Sequence, residues 1–242
     1  MKTFINWLFG SKLKVAVLVL FVGVAATTLQ GCDDNDNYCN YVICPSVPRP
    51  NAIVTVKTAA DNTVYLQLDD STTLLPTNMK EHPFNGKEVR AFVNIREVGD
   101  NASPYSKAVI VTHIDSVLTK HTVATLGDKN DEVYGKDPIE IGKGFPTVCE
   151  DNYLTLWLGT VWGGRGTSHL VNLVTGTNAS DPYELELRQN SYGDTKGAFE
   201  YTTVAFSLKD LPKTGGKTVK LKVKYQSFEG EKTAEFNYKT KD

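Results

Sequence analysis

The residues that could do chemistry are few, and their spacing argues against most of it. Ser168 and His169 are adjacent. Neighbouring strand residues point to opposite faces, so a hydroxyl and an imidazole placed this way do not share a proton. The surrounding Arg165-Gly166-Thr167-Ser168-His169 is not a G-x-S-x-G elbow either. Cys149 stands before Glu150-Asp151. With acids beside it and no placed base, its thiolate is disfavoured rather than activated. Asp69-Asp70 offers two carboxylates, but calcium takes about six to eight oxygens and no spaced Asp/Asn loop accompanies the pair, so a solvated turn is expected. Cys39 and Cys44 have Cys-x4-Cys spacing, which suits structural zinc and is also the shortest disulfide closure. Neither Cys149 nor any of the four histidines supplies the paired spacing that would complete a zinc set. No metal and no cofactor are expected. Cys39–Cys44 is the candidate disulfide, although sequence alone does not assign connectivity.

Binding chemistry has a better candidate. Trp157-Leu158-Gly159-Thr160-Val161-Trp162-Gly163-Gly164-Arg165-Gly166 places a tryptophan at a glycine-rich tip beside an arginine. Trp162 and Arg165 there suit stacking on a sugar ring or anchoring a protein, with Trp157 as a third candidate. The competing reading puts the tryptophans in a core, Trp157 before Trp162, with the glycines serving only the turn.

These residues must be positioned by strands. Residues 53–58 are β-branched, Asp61-Asn62 supplies a turn, and residues 64–68 alternate into a hairpin partner. Val89, Ala91, Val93 and Ile95 set a period of two in a longer strand, residues 108–114 form a fourth, and Val117-Leu118 begins a fifth. No capped 3.6-residue period runs through this region, so no helix is expected. Four or five strands in residues 51–127 suit a small OB-type Greek-key barrel. Asp128-Lys129-Asn130-Asp131-Glu132 is a polar boundary. Residues 128–242 carry seven β-like segments, at 138–141, 153–162, 168–174, 183–190, 199–207, 218–226 and 232–238. That spacing suits an immunoglobulin-like β-sandwich. Alternation is clean where Tyr183, Leu185 and Leu187 oppose Glu184, Glu186 and Arg188, and again at Val219, Leu221, Val223 and Tyr225. Lys220, Lys222 and Lys224 read as an edge or solvent guard, not a phosphate site. The fold class is therefore all-β.

The N-terminus fixes a compartment. Lys2, Lys12 and Lys14 precede an uncharged apolar run of about 12 residues, the length of a signal-peptide core and short for a membrane span. Leu29-Gln30-Gly31-Cys32 closes it and resembles the lipobox of bacterial lipoproteins, in which cleavage precedes the cysteine and its thiol carries lipid. Residues 1–31 are then a signal peptide, Cys32 the lipidated residue, and 32–50 an acidic, proline-rich tether. The expected partner is a membrane, through that lipid. Of the 242 residues, 211 remain after the first 31, enough for two small domains. A net charge of −2 gives no reason to expect a polyanion. In the barrel segment, Lys87, Arg90 and Arg96 are offset by Glu88 and Glu97, with Phe92 as the one aromatic among them, so no nucleic-acid partner is expected.

An ordered set of segments is similar to a known family. Residues 65–70, Leu74-Leu75-Pro76, Val93-Asn94, residues 115–120 and residues 137–141 follow in turn. Residues 151–156, 169–174 and 186–190 complete the order. It resembles the NigD-like lipoproteins, across nearly the whole mature chain. The resemblance implies an N-terminal OB-type domain, a C-terminal β-sandwich and outer-membrane display, the cell surface included. The family takes its name from a bacteriocin-associated gene cluster, and no active site carries over from it. Bacteria with such lipoproteins often O-glycosylate Asp-Ser/Thr followed by an apolar residue or threonine, which Asp70-Ser71-Thr72 and Asp115-Ser116-Val117 match. Ser71 and Ser116 are thus candidate sites. The reading is a non-enzymatic envelope lipoprotein that binds a glycan, a protein or a bacteriocin-related peptide. Its alternative is a structural partner in an outer-membrane assembly, and an envelope hydrolase comes third.

Overall fold

Strand β1 (Ala52–Thr58) reads as a continuous β-branched run because both of its faces are covered. Val54 and Val56 point into a barrel, while Ile53 and Thr55 face outward and are equally buried. The computed structural model describes residues 49–99, 102–164 and 166–241. The expected signal segment, the lipidated Cys32, residues 32–48 of the tether, the Cys39–Cys44 pair and Arg165 lie outside the described residues.

Strands β2 (Val64–Gln67), β3 (Thr73–Pro76), β4 (Val89–Gly99) and β5 (Lys107–Ser116) join β1 in a closed barrel of order β1-β2-β3-β5-β4. All pairings are antiparallel except β3 with β5. Register shifts in β4 at Asn94/Ile95 and Glu97/Gly99 bend that strand around the barrel. Val54, Val56, Val64, Leu66, Leu74 and Val93 fill the interior, and Met79 and Phe84 pack against them from the β3–β4 connection.

The expected fifth strand at Val117-Leu118 does not complete the barrel. That role belongs to β3, and β6 (Leu118–His121) instead pairs in parallel with β13 (Ala198–Ser207). The reason is closure. Once β1 and β4 pair, the barrel has no free edge, whereas the sandwich still does. The next short strand, β7 (Val123–Ala124), pairs in parallel with β11 (Leu170–Thr175) in the opposite sheet. One seven-residue stretch therefore pins both sheets of the second domain.

A 3-10 turn (Gly127–Lys129) and the five-residue helix α1 (Asn130–Tyr134) follow. The first sheet then runs β6-β13-β10-β8, with β8 (Glu140–Ile141), β10 (Tyr153–Trp162), and β9 (Val148–Glu150) also pairing β10. The second runs β15-β14-β12-β11-β7, with β12 (Glu184–Asn190), β14 (Val219–Ser227) and β15 (Gly230–Tyr238). All seven segments expected from alternation form strands, and β9 is added. Leu154, Leu156 and Leu158 meet Leu185, Leu187, Phe206 and Leu221 between the sheets. The lysine row lies on the solvent face of β14, an inner strand, where Lys222 pairs with Asp181 and Lys224 with Glu184.

Barrel and sandwich belong to one compact unit, Val47–Asp242. Ile53, Val117 and Ala205 form a small apolar cluster where they meet, with Phe92 and Val148 against it.

Candidate functional site

The two tryptophans on β10 point to opposite faces and form no common platform. Trp157 lies on the outer face, half-buried, its ring stacked on Tyr201 at 4.1 Å and 26°. Glycine makes room beneath it, since a Cβ at Gly142 would stand 2.3 Å from Trp157 Cε3. Phe199 meets Tyr201 edge-on at 5.3 Å, and Phe228 meets Phe199 at 5.7 Å. Tyr201, Phe199 and Phe228 are exposed, so Trp157 is the inner end of an aromatic row and not a core residue.

Trp162 turns the other way. It is half-buried and stacks on the His169 ring at 4.0 Å and 15°. The side chain of His169 is fully buried. Its Nδ1 accepts from Gln189 Nε2 at 3.0 Å, which leaves Nε2 as the donor to Asp194 Oδ2 at 3.2 Å. Gln189 also donates to Thr160 Oγ1, and Gly163 N–H donates to Asp194. Both ring nitrogens are occupied by groups that are not nucleophiles, and Ser168 is exposed nearby. His113 pairs with Asp115 and His121 with Asp210, but among the described residues no serine, threonine or cysteine hydrogen-bonds to any histidine side chain. Nor do the described residues hold a cluster of three or more His, Cys, Asp or Glu side chains able to bind a metal. Cys149 is inert: burial, and then Asp70 and Glu150, push its thiol up to about 12 against the pull of Arg90.

Asp69 is the turn residue expected, its Oδ1 accepting from Ser71 N–H and Thr72 N–H. Asp70 does something the sequence does not announce. Its Oδ1 accepts the N–H of Asp151, 81 positions away, and so ties a barrel turn to a sandwich turn. Asp151-Asn152 connects β9 to β10 with φ of +49° and +60°, the two left-handed residues of a type I′ hairpin. Asp151 is fully buried, and its Oδ1 lies 2.7 Å from Lys57 Nζ and 3.6 Å from Lys241 Nζ. Beside it, Arg90 Nη1 donates to Thr55 Oγ1 and Nη2 to Glu150 Oε1. Burial raises the Glu150 carboxyl in spite of that guanidinium. Glu88 Oε1 accepts from Tyr153 Oη at 2.8 Å and Lys209 Nζ at 2.7 Å. Burial opposes charge on Glu88, but those two donors and the Lys209 charge hold it below the usual range. Burial and then Glu88 hold the Tyr153 hydroxyl above its own.

This polar seam leaves two open clefts that share Lys209. The larger, of about 580 Å³, is lined by Lys57, Tyr65, Gln67, Tyr105, Lys209 and Lys241, among others. The Tyr65 and Tyr105 rings stand 5.4 Å apart at 35°, forming a wedge. Burial and the charges of Asp151 and Glu88 raise the Tyr65 hydroxyl, so it stays neutral and able to donate. The second cleft, of about 430 Å³, is lined by Lys87, Glu88, Lys120, His121, Tyr153 and Lys209. Lys120 donates to Val171 O and Asn172 Oδ1, and burial lowers its ammonium. Sequence reading missed this groove because its walls come from separate segments with no shared motif.

Comparison with known proteins follows the same division. The profile of the NigD-like N-terminal OB domain matches residues 53–117, and that of the NigD-like C-terminal beta sandwich domain matches residues 122–238. A crystal structure described as a candidate toxin-related protein from Parabacteroides distasonis is 35% identical, with a TM-score of 0.68 over 78% of this chain and 92% of that one. A NigD-like immunity protein from Bacteroides caccae is 16% identical, with a TM-score of 0.55 over 77% and 95%. A candidate lipoprotein from Bacteroides fragilis is 18% identical, with a TM-score of 0.53 over 79% and 98%. No curated protein matches the chain. With both domains matched in order, and a 35% identical relative spanned almost end to end, the chain belongs to the NigD-like family.

Proposed function

We propose that this chain is a lipid-anchored protein of the cell envelope that binds a ligand and does no chemistry on it. Its lipid would sit on Cys32 and its address would be the outer membrane, with display at the cell surface. The observation that carries the binding reading is the junction cleft. It combines the size of a small-molecule site, a tyrosine wedge and convergent ammonium groups, with no nucleophile–base pair beside it among the described residues. The relative described as a lipoprotein supports the anchor.

The test is capture of a ligand on intact cells producing the full chain, with protease shaving in parallel. Shaving should remove the protein, and capture should fall at least tenfold in Tyr65→Ala and Tyr105→Ala. Capture unchanged in both variants would sink the cleft as the site. Intact-mass measurement tests the modification of Ser71 and Ser116, both exposed hydroxyls: a mature chain carrying no hexose mass removes that proposal.

A second reading, a structural partner in an outer-membrane assembly, is favoured by the row Tyr201, Phe199 and Phe228. Exposed aromatic surface of this kind marks protein contacts. Its occupant would be another envelope protein, crosslinked through residue 201 and lost in Tyr201→Ala while capture at the cleft persists.

A further inference from the structure

The two clefts adjoin at Lys209, which lines both, and together they carry a surplus of positive charge. Lys57 and Lys241 share the single carboxylate of Asp151, which leaves two ammonium groups against one acid. Lys209 is matched by Glu88, and His121 by Asp210. Lys87 and Lys120 pair with no carboxylate among the described residues; the other acids at the seam are Asp69, Asp70 and Glu150, the last paired with Arg90. Among the residues lining the two clefts, lysine outweighs carboxylate even though the whole chain carries −2.

The groove also contains groups that a simple counter-ion does not need. Tyr65 and Tyr105 stand tilted against each other in the cleft wall, and Gln67 and Asn152 line the same cleft. Gln67 spends its amide on Asp69 O and Thr72 O, and Asn152 on the backbone of Lys241, so both are held rigid. These amides therefore shape the wall, and the groups left to meet a sugar are the aromatic faces, for the apolar side of a pyranose, and the lysine ammoniums and Tyr65 hydroxyl, for its oxygens. A peptide would instead gain its affinity by extending a sheet. The barrel is closed from β1 to β4 and offers no free edge; the sandwich edge strand β6 borders the second cleft, so a peptide there is an outcome the titration below separates.

We propose that the groove binds an acidic sugar chain, an oligosaccharide bearing carboxylates, with one ring on the Tyr65–Tyr105 wedge and its acid groups along Lys209, Lys87 and Lys120. This rests on the binding reading above and names its ligand class. Such a glycan could be the cell's own surface polysaccharide or one acquired from outside, because the recognising chemistry is the same.

The test is calorimetric titration of the full mature chain with trigalacturonate, with its neutral methyl ester, and with a poly-glutamate of equal charge. Trigalacturonate should bind at least tenfold more tightly than either, and weaken at least tenfold in Lys209→Met and Tyr105→Ala. Because Lys209 also supports Glu88, the exposed Lys87→Met serves as a second charge variant and should weaken binding about threefold without moving the unfolding midpoint. Repeating the titration with the cell's delipidated surface polysaccharide and with exogenous pectin fragments separates the two sources, and binding of either upholds the proposal. Equal binding of the acid and its ester, both lost in Tyr105→Ala, overturns the acidic class while the cleft reading stands. Preference for poly-glutamate overturns it in favour of a peptide. No binding of any sugar overturns it whatever the cell capture shows.

Discussion

Arg90 Nη2 of β4 lies 2.6 Å from Glu150 Oε1 of β9, a pairing of two domains across 60 positions of sequence with the guanidinium fully buried. Charge is costly to bury, and a buried pair of this kind stabilises less than its short distance suggests. Its consequence is geometric. It fixes the barrel against the sandwich and so fixes the width of the groove between them. Removing one partner strands the other: Arg90→Met should lower stability by about 3–5 kcal/mol in chemical denaturation. Arg90→Met combined with Glu150→Leu should recover most of that loss. Equal loss in single and double variants would show that the pair does not act as a unit.

Glu88 gives the seam an acid limit. Its folded pKa lies below the unfolded value despite its burial, because Lys209 and Tyr153 donate to the carboxylate. The stabilisation is therefore complete above the unfolded glutamate range and is lost as pH falls through the lower, folded value. Glu88→Gln should be less stable than wild type at pH 7, and the two denaturation midpoints should converge as pH falls below the ordinary glutamate range. A constant difference across that range would contradict the assignment.

Gly159 makes room for the aromatic row. A Cβ there would stand 2.7 Å from both Phe199 Cζ and Tyr201 Cε1. Those rings are exposed and can swing outward, so Gly159→Ala should cost about 1–3 kcal/mol, a cost of overpacking and not of unfolding. The Trp157 signal in near-ultraviolet circular dichroism should change as its stack on Tyr201 opens.

Cys149 should resist alkylation. With its pKa pushed up to about 12, roughly one thiol in ten thousand is thiolate at pH 8. Iodoacetamide followed by peptide mapping should leave the Cys149 peptide unmodified in the folded chain and label it fully in guanidinium. Rapid labelling of the folded chain would mean that the thiol is open to water.

Local pattern determined much of this protein. Leu185 and Leu187 alternate with Glu184 and Glu186, Val219 to Tyr225 alternate with lysines, and each such run becomes a strand with the expected face inward. Side-chain periodicity is a property of a few consecutive residues, so the all-β class and the order of barrel and sandwich were legible without coordinates. Pairing partners were not, because hydrogen-bonding edges are allotted only when the whole fold closes. Thr73–Pro76 becomes a barrel strand although it ends in proline, and Leu118–His121 is left to the sandwich. Trp162 shows the same limit: its glycine-rich neighbours suggested an exposed tip, but the partner that half-buries it, His169, is supplied from outside β10. The groove is the extreme case. Lys57, Tyr65 and Tyr105 come from the barrel and Asn152, Lys209 and Lys241 from the second domain, so the tertiary structure alone gathers them. The Asp70–Asp151 contact and the Arg90–Glu150 pair hold them there, and long-range contacts of that kind leave no mark on neighbouring residues.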